Sequence, residues 1–361
     1  MAIYLKKFEN HTQYDTYTAS TEFITPNVSL CAQENEVHYN PNTPVPPTPQ
    51  TVTLTCVYVP TGGGSGSGSG EGGNLTKLFN SNDFADSIES MTIDGNEQSS
   101  IVNKYDFGDT SEHTVVFTLK DSVTSINSNT FYNCSSLTSI DIPDSVTSIG
   151  SSAFYNCNSL TSIDIPDSVT SIGDNAFSSC SKLTSIDIPN SVTSIGGNAF
   201  FSTPWWDTYS ADTSHHYDNI IYINDVAYKA TSTSITTAAF KSGTVGIGGS
   251  AFDYCENLTA INIPDSVTSI GNRAFEHCRG LTSVTIGGGV TDIGAYAFSS
   301  CSKLTSIISN AATAPTIYFT TFQIIKSGGT LTVPSGSTGY DIWMQNDNYY
   351  LGNYGWTKVE Q

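Results

Sequence analysis

A 23-residue unit recurs along the chain with few changes. Residues 140–162 read IDIPDSVTSIGSSAFYNCNSLTS, and residues 163–185 read IDIPDSVTSIGDNAFSSCSKLTS. A diverged copy begins at Phe117 and another at Ile186. After a break the pattern resumes near Ala238, at Ile261 and at Val284, giving seven copies of IxIPxSVTxIGxxAFxxCxxLTS. One such unit is too short to bury its own apolar residues. Stacked units can bury them against one another, so the period predicts a solenoid.

The apolar slots indicate how each turn is built. Ile163 and Ile165 are two apart and face one side of an extended strand. Val169 and Ile172 follow a corner at Pro166, and Gly173 permits a bend where a Cβ would clash. Ala176, Phe177, Cys180 and Leu183 have helical spacing and predict a short helical turn. In-register stacking would align Phe131, Phe154, Phe177, Phe200, Phe252, Phe275 and Phe298 in one interior column. Six of the eight cysteines would form another, as free thiols. Cys31 and Cys56 stand outside this pattern and are a possible pair.

The repeat LxxIxIPxxVxxIGxxAFxxC closely resembles the BspA-like leucine-rich repeats, over about residues 112–308. The resemblance implies a right-handed leucine-rich-repeat solenoid with a parallel sheet on one face. It also implies binding and display rather than chemistry. Members of that family are mostly surface proteins of gut and oral bacteria and of mucosal parasites, and some adhere to host matrix proteins.

Composition removes several alternatives. The chain has 361 residues, of which 13% are charged; 13 are basic and 33 acidic, a net charge of −20. No Lys/Arg run exists to neutralise phosphates, so a nucleic-acid partner is not expected. The start, MAIYLKK, has no apolar run that would read as a secretion signal. No HExxH, P-loop or paired-carboxylate arrangement stands out, and neither a cofactor, a metal nor an enzymatic activity is expected.

Two sets of residues are candidates for binding. Asp141, Asp164 and Asp187 alternate with inward isoleucines and should project from the sheet as a polar column, continued by Asn262 and Thr285. Like charges about 5 Å apart in water repel by less than about 1 kcal/mol per pair, which a sheet tolerates. The second set lies in the break, where Phe200 and Phe252 are 52 residues apart, two periods plus six. There Trp205, Trp206, Tyr209 and Tyr217 either cover the interrupted core or form an aromatic contact patch. Residues 220–230 predict a hairpin turning at Asn224-Asp225. His215 and His216, taken as strand neighbours, should point to opposite faces and not share a metal.

The rest of the chain reads as attachments. Residues 62–73, GGGSGSGSGEGG, are a flexible tether, and residues 41–49 a stiff proline-rich spacer. The segment FITPNVSLCAQENEVHYNP resembles head segments of structural proteins of gut bacteriophages. The expected chain is therefore mainly β. It has a small anchoring and oligomerising head (1–60), a linker (61–73), an N-terminal β cap (74–116), the solenoid (117–308, with an insert at 201–237) and a C-terminal cap (309–361). Within that last cap, strands are expected at 330–333 and 356–359 and a short helix at 340–345. The resemblances together imply a non-catalytic display protein on a virion exterior, such as a fibre or decoration protein. Its head would contact other virion proteins and copies of itself, and its repeats would contact a cell-surface protein or glycan. The alternative is a bacterial cell-surface adhesin.

Overall fold

The computed structural model describes residues 4–5, 28–30, 37–39, 52–60 and 75–361. The chain divides into two compact units, residues 1–51 and 52–361. In the first, Val37–Tyr39 is the central strand between Tyr4–Leu5 and Val28–Leu30, all antiparallel. The expected linker, the proline-rich spacer and most of the expected head lie outside the described residues.

The second unit is a β-solenoid, and each turn contributes two short strands. One ladder joins Ser125–Ile126, Ser148–Ile149, Ser171–Ile172 and Ser194–Ile195 in parallel register. Beyond the break it continues through Gly246–Ile247, Ser269–Ile270, Asp292–Ile293 and Thr316–Ile317. The second ladder pairs Ser162–Asp164 with Ser185–Asp187. Later it joins Ala260–Asn262, Ser283–Ile286, Ser306–Ser309, Thr330–Val333 and Thr357–Glu360.

The arc that carries AFxxC is not helical as its spacing predicts. Asn175 and Ser179 take positive φ of 56° and 64°, and equivalent residues do so in the other turns. The resulting consecutive turns aim their N–H groups at the next coil. Phe154 N donates to Ala176 O at 2.8 Å, and Phe177 N to Ala199 O at 2.7 Å. Hydrogen bonds between coils thus replace the hydrogen bonds of a helix. Gly173 is required because adjacent coils pass so closely that a Cβ there would sit 2.5 Å from Ser151 N.

The phenylalanine column forms as expected. Ring centroids of Phe131, Phe154, Phe177 and Phe200 are 5.2, 5.1 and 5.8 Å apart. Phe252, Phe275 and Phe298 follow at 5.0 and 5.2 Å. These separations match the strand spacing of about 4.8 Å with a small offset. Cys56 and the six column cysteines are free and buried; Cys31, the other half of the possible pair, lies outside the described residues. The column thiols also have a polar task. Cys157 Sγ donates to Phe131 O at 3.1 Å and Cys180 Sγ to Phe154 O at 3.0 Å, and Cys278 and Cys301 repeat the contact. Burial pushes the Cys134 thiol up to about 12 and Cys255 to about 11.

The ends differ from expectation in three places. Val52–Tyr58, assigned to the head by sequence, lies in a five-stranded antiparallel sheet of the second unit. It pairs with both His113–Leu119 and the first-coil strand Leu137–Asp141. Leu54, Cys56 and Tyr58 alternate inward, and Phe79, Phe84 and Phe117 close the phenylalanine column over Phe131. At the other end, one more coil follows residue 308. Phe322 stacks on Phe298 at 5.9 Å, and the buried Trp343 covers Phe322. The helix expected at 340–345 is a run of turns, in which Trp343 Nε1 donates to Pro315 O.

The break is filled by the helix Pro204–Ala211 and the predicted hairpin. Thr203 caps the helix by accepting from Trp206 N at 3.1 Å. The hairpin pairs Ile220–Ile223 with Val226–Ala230, and Asn224 turns at φ 52°. Ile223, Val226 and Tyr228 pack into the core before the break, and Ile220, Tyr222 and Ala227 into the core after it.

Two outcomes are expected. Phe177→Ala should cost about 3–5 kcal/mol in chemical denaturation, as large-to-small core changes do; a loss under about 1 kcal/mol would place the ring outside the core. Deleting residues 1–51 should leave the thermal midpoint of the solenoid unchanged, whereas deleting 1–60 should lower it by several degrees, about the effect of a few kcal/mol. Equal midpoints for the two truncations would show that Val52–Tyr58 is dispensable.

Candidate functional site

The ladder of Ser-Ile strands borders a groove of about 450 Å³ lined by residues from Ser128 to Tyr318. Alternation along each two-residue strand buries the isoleucine and turns the preceding residue outward. The groove therefore presents Ser148, Ser171, Ser194 and Ser269, then Asp292 and Thr316, with Gly150, Gly173, Gly196, Gly271 and Gly294 beside them. The glycines keep the wall low. Among the described residues no side-chain partner engages the hydroxyls of Ser148, Ser171, Ser194 or Ser269.

The lining of the groove has residues from both sides of the break, although the coil between them carries Gly246 where its neighbours carry the outward serine. Asp174 accepts from Gly197 N at 2.6 Å through one carboxylate oxygen and from Asn272 Nδ2 at 3.1 Å through the other. Asn272 Oδ1 in turn accepts from Ala295 N. This chain of bonds ties coils before the insert to coils after it.

The residues expected from sequence fall in separate places. Asp164 and Asp187 are exposed and in direct register. Asp141 is exposed on the strand that pairs with the cap, opposite Thr55. None of the three lines the groove. Trp205 and Trp206 are half-buried, Trp205 edge-on to Phe200 at 4.8 Å and Trp206 edge-on to Tyr228 at 5.0 Å. They close the core at the break. Tyr209 and Tyr217 instead line a second cavity, of about 530 Å³, within the insert.

The sequence reading overlooked the serine row, although it stands in plain alternation with the isoleucine of each SIG triplet. It also overlooked Lys241, which lies beyond the aromatic run and reaches the insert cavity only through the fold.

Two clusters of ionisable groups complete the inventory. Asp253, Glu276 and His277 place ligand atoms within 4.8 Å of one another, the spacing of a cation site. They satisfy one another, however: Arg273 binds Glu276 at 2.7 Å and His277 meets Asp253 at 3.3 Å. Burial, opposed by that histidine, raises the Asp253 carboxyl above its usual range. In the N-terminal cap, His113 Nδ1 meets Asp94 at 2.8 Å and Nε2 meets Asp109 at 3.1 Å, with the ring stacked on Phe107. Burial pulls the His113 pKa down, but the hydrogen bonds to the two aspartates outweigh it and the net direction is upward.

A family model described as "BspA type Leucine rich repeat region" matches residues 100–214 and 221–338, in 6 copies. The chain belongs to the BspA-type leucine-rich repeat family. Among solved structures it is similar to a leucine-rich cell surface protein from Faecalibacterium prausnitzii, at 22% identity and TM-score 0.32, covering 68% of this chain and 83% of that one. A leucine-rich repeat protein from Bacteroides ovatus is 22% identical at TM-score 0.26, covering 67% and 77%. The pneumococcal vaccine antigen PcpA is 15% identical at TM-score 0.25, covering 62% and 78%. A search of curated proteins finds no match to this BspA-type chain. No helix among the described residues is long and apolar enough to cross a membrane.

The cap cluster gives a pH dependence of defined sign. The His113 pKa is raised in the folded state, so its stabilisation is full below the ordinary value of 6.5 and is lost as pH rises through the folded value. Asp94 and Asp109 are lowered, chiefly by hydrogen bonds from His113 and Ser111 respectively, so their contribution is lost as pH falls below the usual 3.8. The thermal midpoint should fall from about pH 6 to about pH 8, and His113→Gln should flatten that slope. An unchanged slope in the variant would remove His113 as its source.

Proposed function

We propose that this BspA-type protein is a non-catalytic display and adhesion protein that holds cell-surface or mucosal ligands along its repeats. The supporting observation is the row of hydroxyls at Ser148, Ser171 and Ser194 on consecutive coils, with Ser269 beyond Gly246, along one groove and with no side-chain partner among the described residues. Equivalent groups at regular spacing favour many weak contacts with an extended protein or glycan over a single chemical centre. The exposed Asp164 and Asp187 offer a second polar column on the other ladder.

For its location, two readings follow from different observations. The segment FITPNVSLCAQENEVHYNP supports the exterior of a gut bacteriophage virion, with residues near the N-terminus contacting other virion proteins and copies of the chain. The BspA-type repeats support a bacterial cell surface instead.

The adhesive reading is tested by binding of the purified chain to intact gut bacteria and to immobilised mucin. Ser171→Arg places a long charged side chain in the groove and should weaken binding about tenfold while the protein stays folded. Undiminished binding would take the groove out of the account. Mass spectrometry of purified phage particles and of washed bacterial surfaces separates the two locations, since each predicts the chain in one sample and not the other.

A further inference from the structure

The insert does more than seal the break. Its aromatic side chains divide into two groups with different surroundings. Trp205 and Trp206 face the core, as described. Tyr217, by contrast, is 47% exposed and stands at the rim of the 530 Å³ cavity, which Tyr209, Ser214, His215, His216, Tyr222, Asn224 and Lys241 also line. A cavity of this size with aromatic walls and a few fixed polar groups has the character of a small-molecule site.

The polar groups are held in place before any ligand arrives. His215 ends a short turn at Thr213–His215 and His216 begins a strand, so the two are not strand neighbours as the sequence suggested, and both reach the cavity. His215 Nδ1 bonds Tyr209 O at 3.0 Å, and His216 Nε2 bonds Ser210 O at 2.9 Å. Each imidazole thereby satisfies a carbonyl at the end of the helix Pro204–Ala211 and keeps its other nitrogen without a partner among the described residues. The Tyr209 ring lies flat on His215 at 3.7 Å and fixes the plane of the imidazole, and both residues line the cavity. Asn224 spends its amide N–H groups on Ile188 O and Pro189 O and retains a side-chain oxygen as acceptor.

The charge at the site is already matched. Lys241 Nζ bonds Asn224 O at 2.7 Å, pairs with Asp225 at 3.1 Å and lies 4.7 Å over the Tyr222 ring. Asp212 and Asp218 lie in the same insert, and the whole chain carries −20. An anionic ligand would meet repulsion, and among the described residues lining the cavity the one Lys or Arg, Lys241, is already paired. What fits is an uncharged molecule with one flat C–H face and a rim of hydroxyls, to stack on Tyr217 and hydrogen-bond the imidazoles, Ser214 and Asn224.

We propose that the insert cavity binds a neutral pyranose sugar, free or at the end of a surface glycan. The site is separate from the repeat groove and does not depend on it. Binding here would add a specific contact to the distributed ones of the solenoid.

The test is saturation-transfer NMR and titration calorimetry on the full chain with methyl β-galactopyranoside, methyl α-mannopyranoside and N-acetylglucosamine, with glucuronic acid as the charged control. The expected result is transfer to the ring protons of at least one neutral sugar and none to glucuronic acid. Tyr217→Ala should weaken that binding about tenfold with an unchanged thermal midpoint, because the ring is exposed. Tyr217→Phe should retain the binding, and so should the groove variant Ser171→Arg. No transfer to any neutral sugar, binding of glucuronic acid alone, or full binding by Tyr217→Ala would each overturn the proposal. Failure of the groove variant to affect cell adhesion would leave this site standing.

Discussion

The fold depends on one constraint: successive coils must stack at the spacing of hydrogen-bonded strands along both ladders at once. That spacing brings Gly173 so close to Ser151 that no Cβ fits between them. It also sets the phenylalanine rings about one strand apart, parallel and offset, where aromatic pairs attract. The column cysteines belong to the same constraint. Their thiols reach the carbonyl of the phenylalanine one coil back, which also accepts a backbone N–H within its own turn, so each thiol adds a bond between coils. Small, buried and able to donate, cysteine serves that position in a way that alanine or valine does not.

A stack of this kind has two ends and, here, one interruption, and each is closed by aromatic side chains. Phe84, itself packed on Phe117, covers Phe131, Trp343 covers Phe322, and Tyr228 with Trp205 covers Phe200. The edge strand of the first coil is covered as well, because Val52–Tyr58 pairs with Leu137–Asp141 and removes a free parallel edge. The hairpin Ile220–Ala230 shares its two faces between the two cores, so the solenoid passes the break as one unit. Asp174 and Asn272 fasten the groove side of the same junction.

The residues that repeat were legible in the sequence, because a period repeated many times carries its own confirmation. The inward positions of Phe177, Cys180 and Ile172 followed from it, and so did the outward Asp164; the turn at Asn224-Asp225 followed instead from the local hairpin pattern of the insert. What was not legible involves contacts between residues far apart in the chain. Val52–Tyr58 alternates like any small β element, and only its pairing with His113–Leu119 assigns it to the cap. The AFxxC arc has helical spacing, yet the left-handed Asn175 and Ser179 give it a different path, set by bonds to the next coil. Phe322 keeps the column although its coil is 24 residues from Phe298 and lacks the IPxSV signature. The insert cavity combines three tyrosines and two histidines with Lys241, which no motif connects to them.

The interior columns can be read directly by thiol labelling. The native chain, exposed to a maleimide and digested for mass spectrometry, should show Cys157, Cys180, Cys278 and Cys301 unmodified, and all four should label once the chain is unfolded in denaturant. Rapid labelling of those four cysteines in the native protein would contradict a stacked, closed coil.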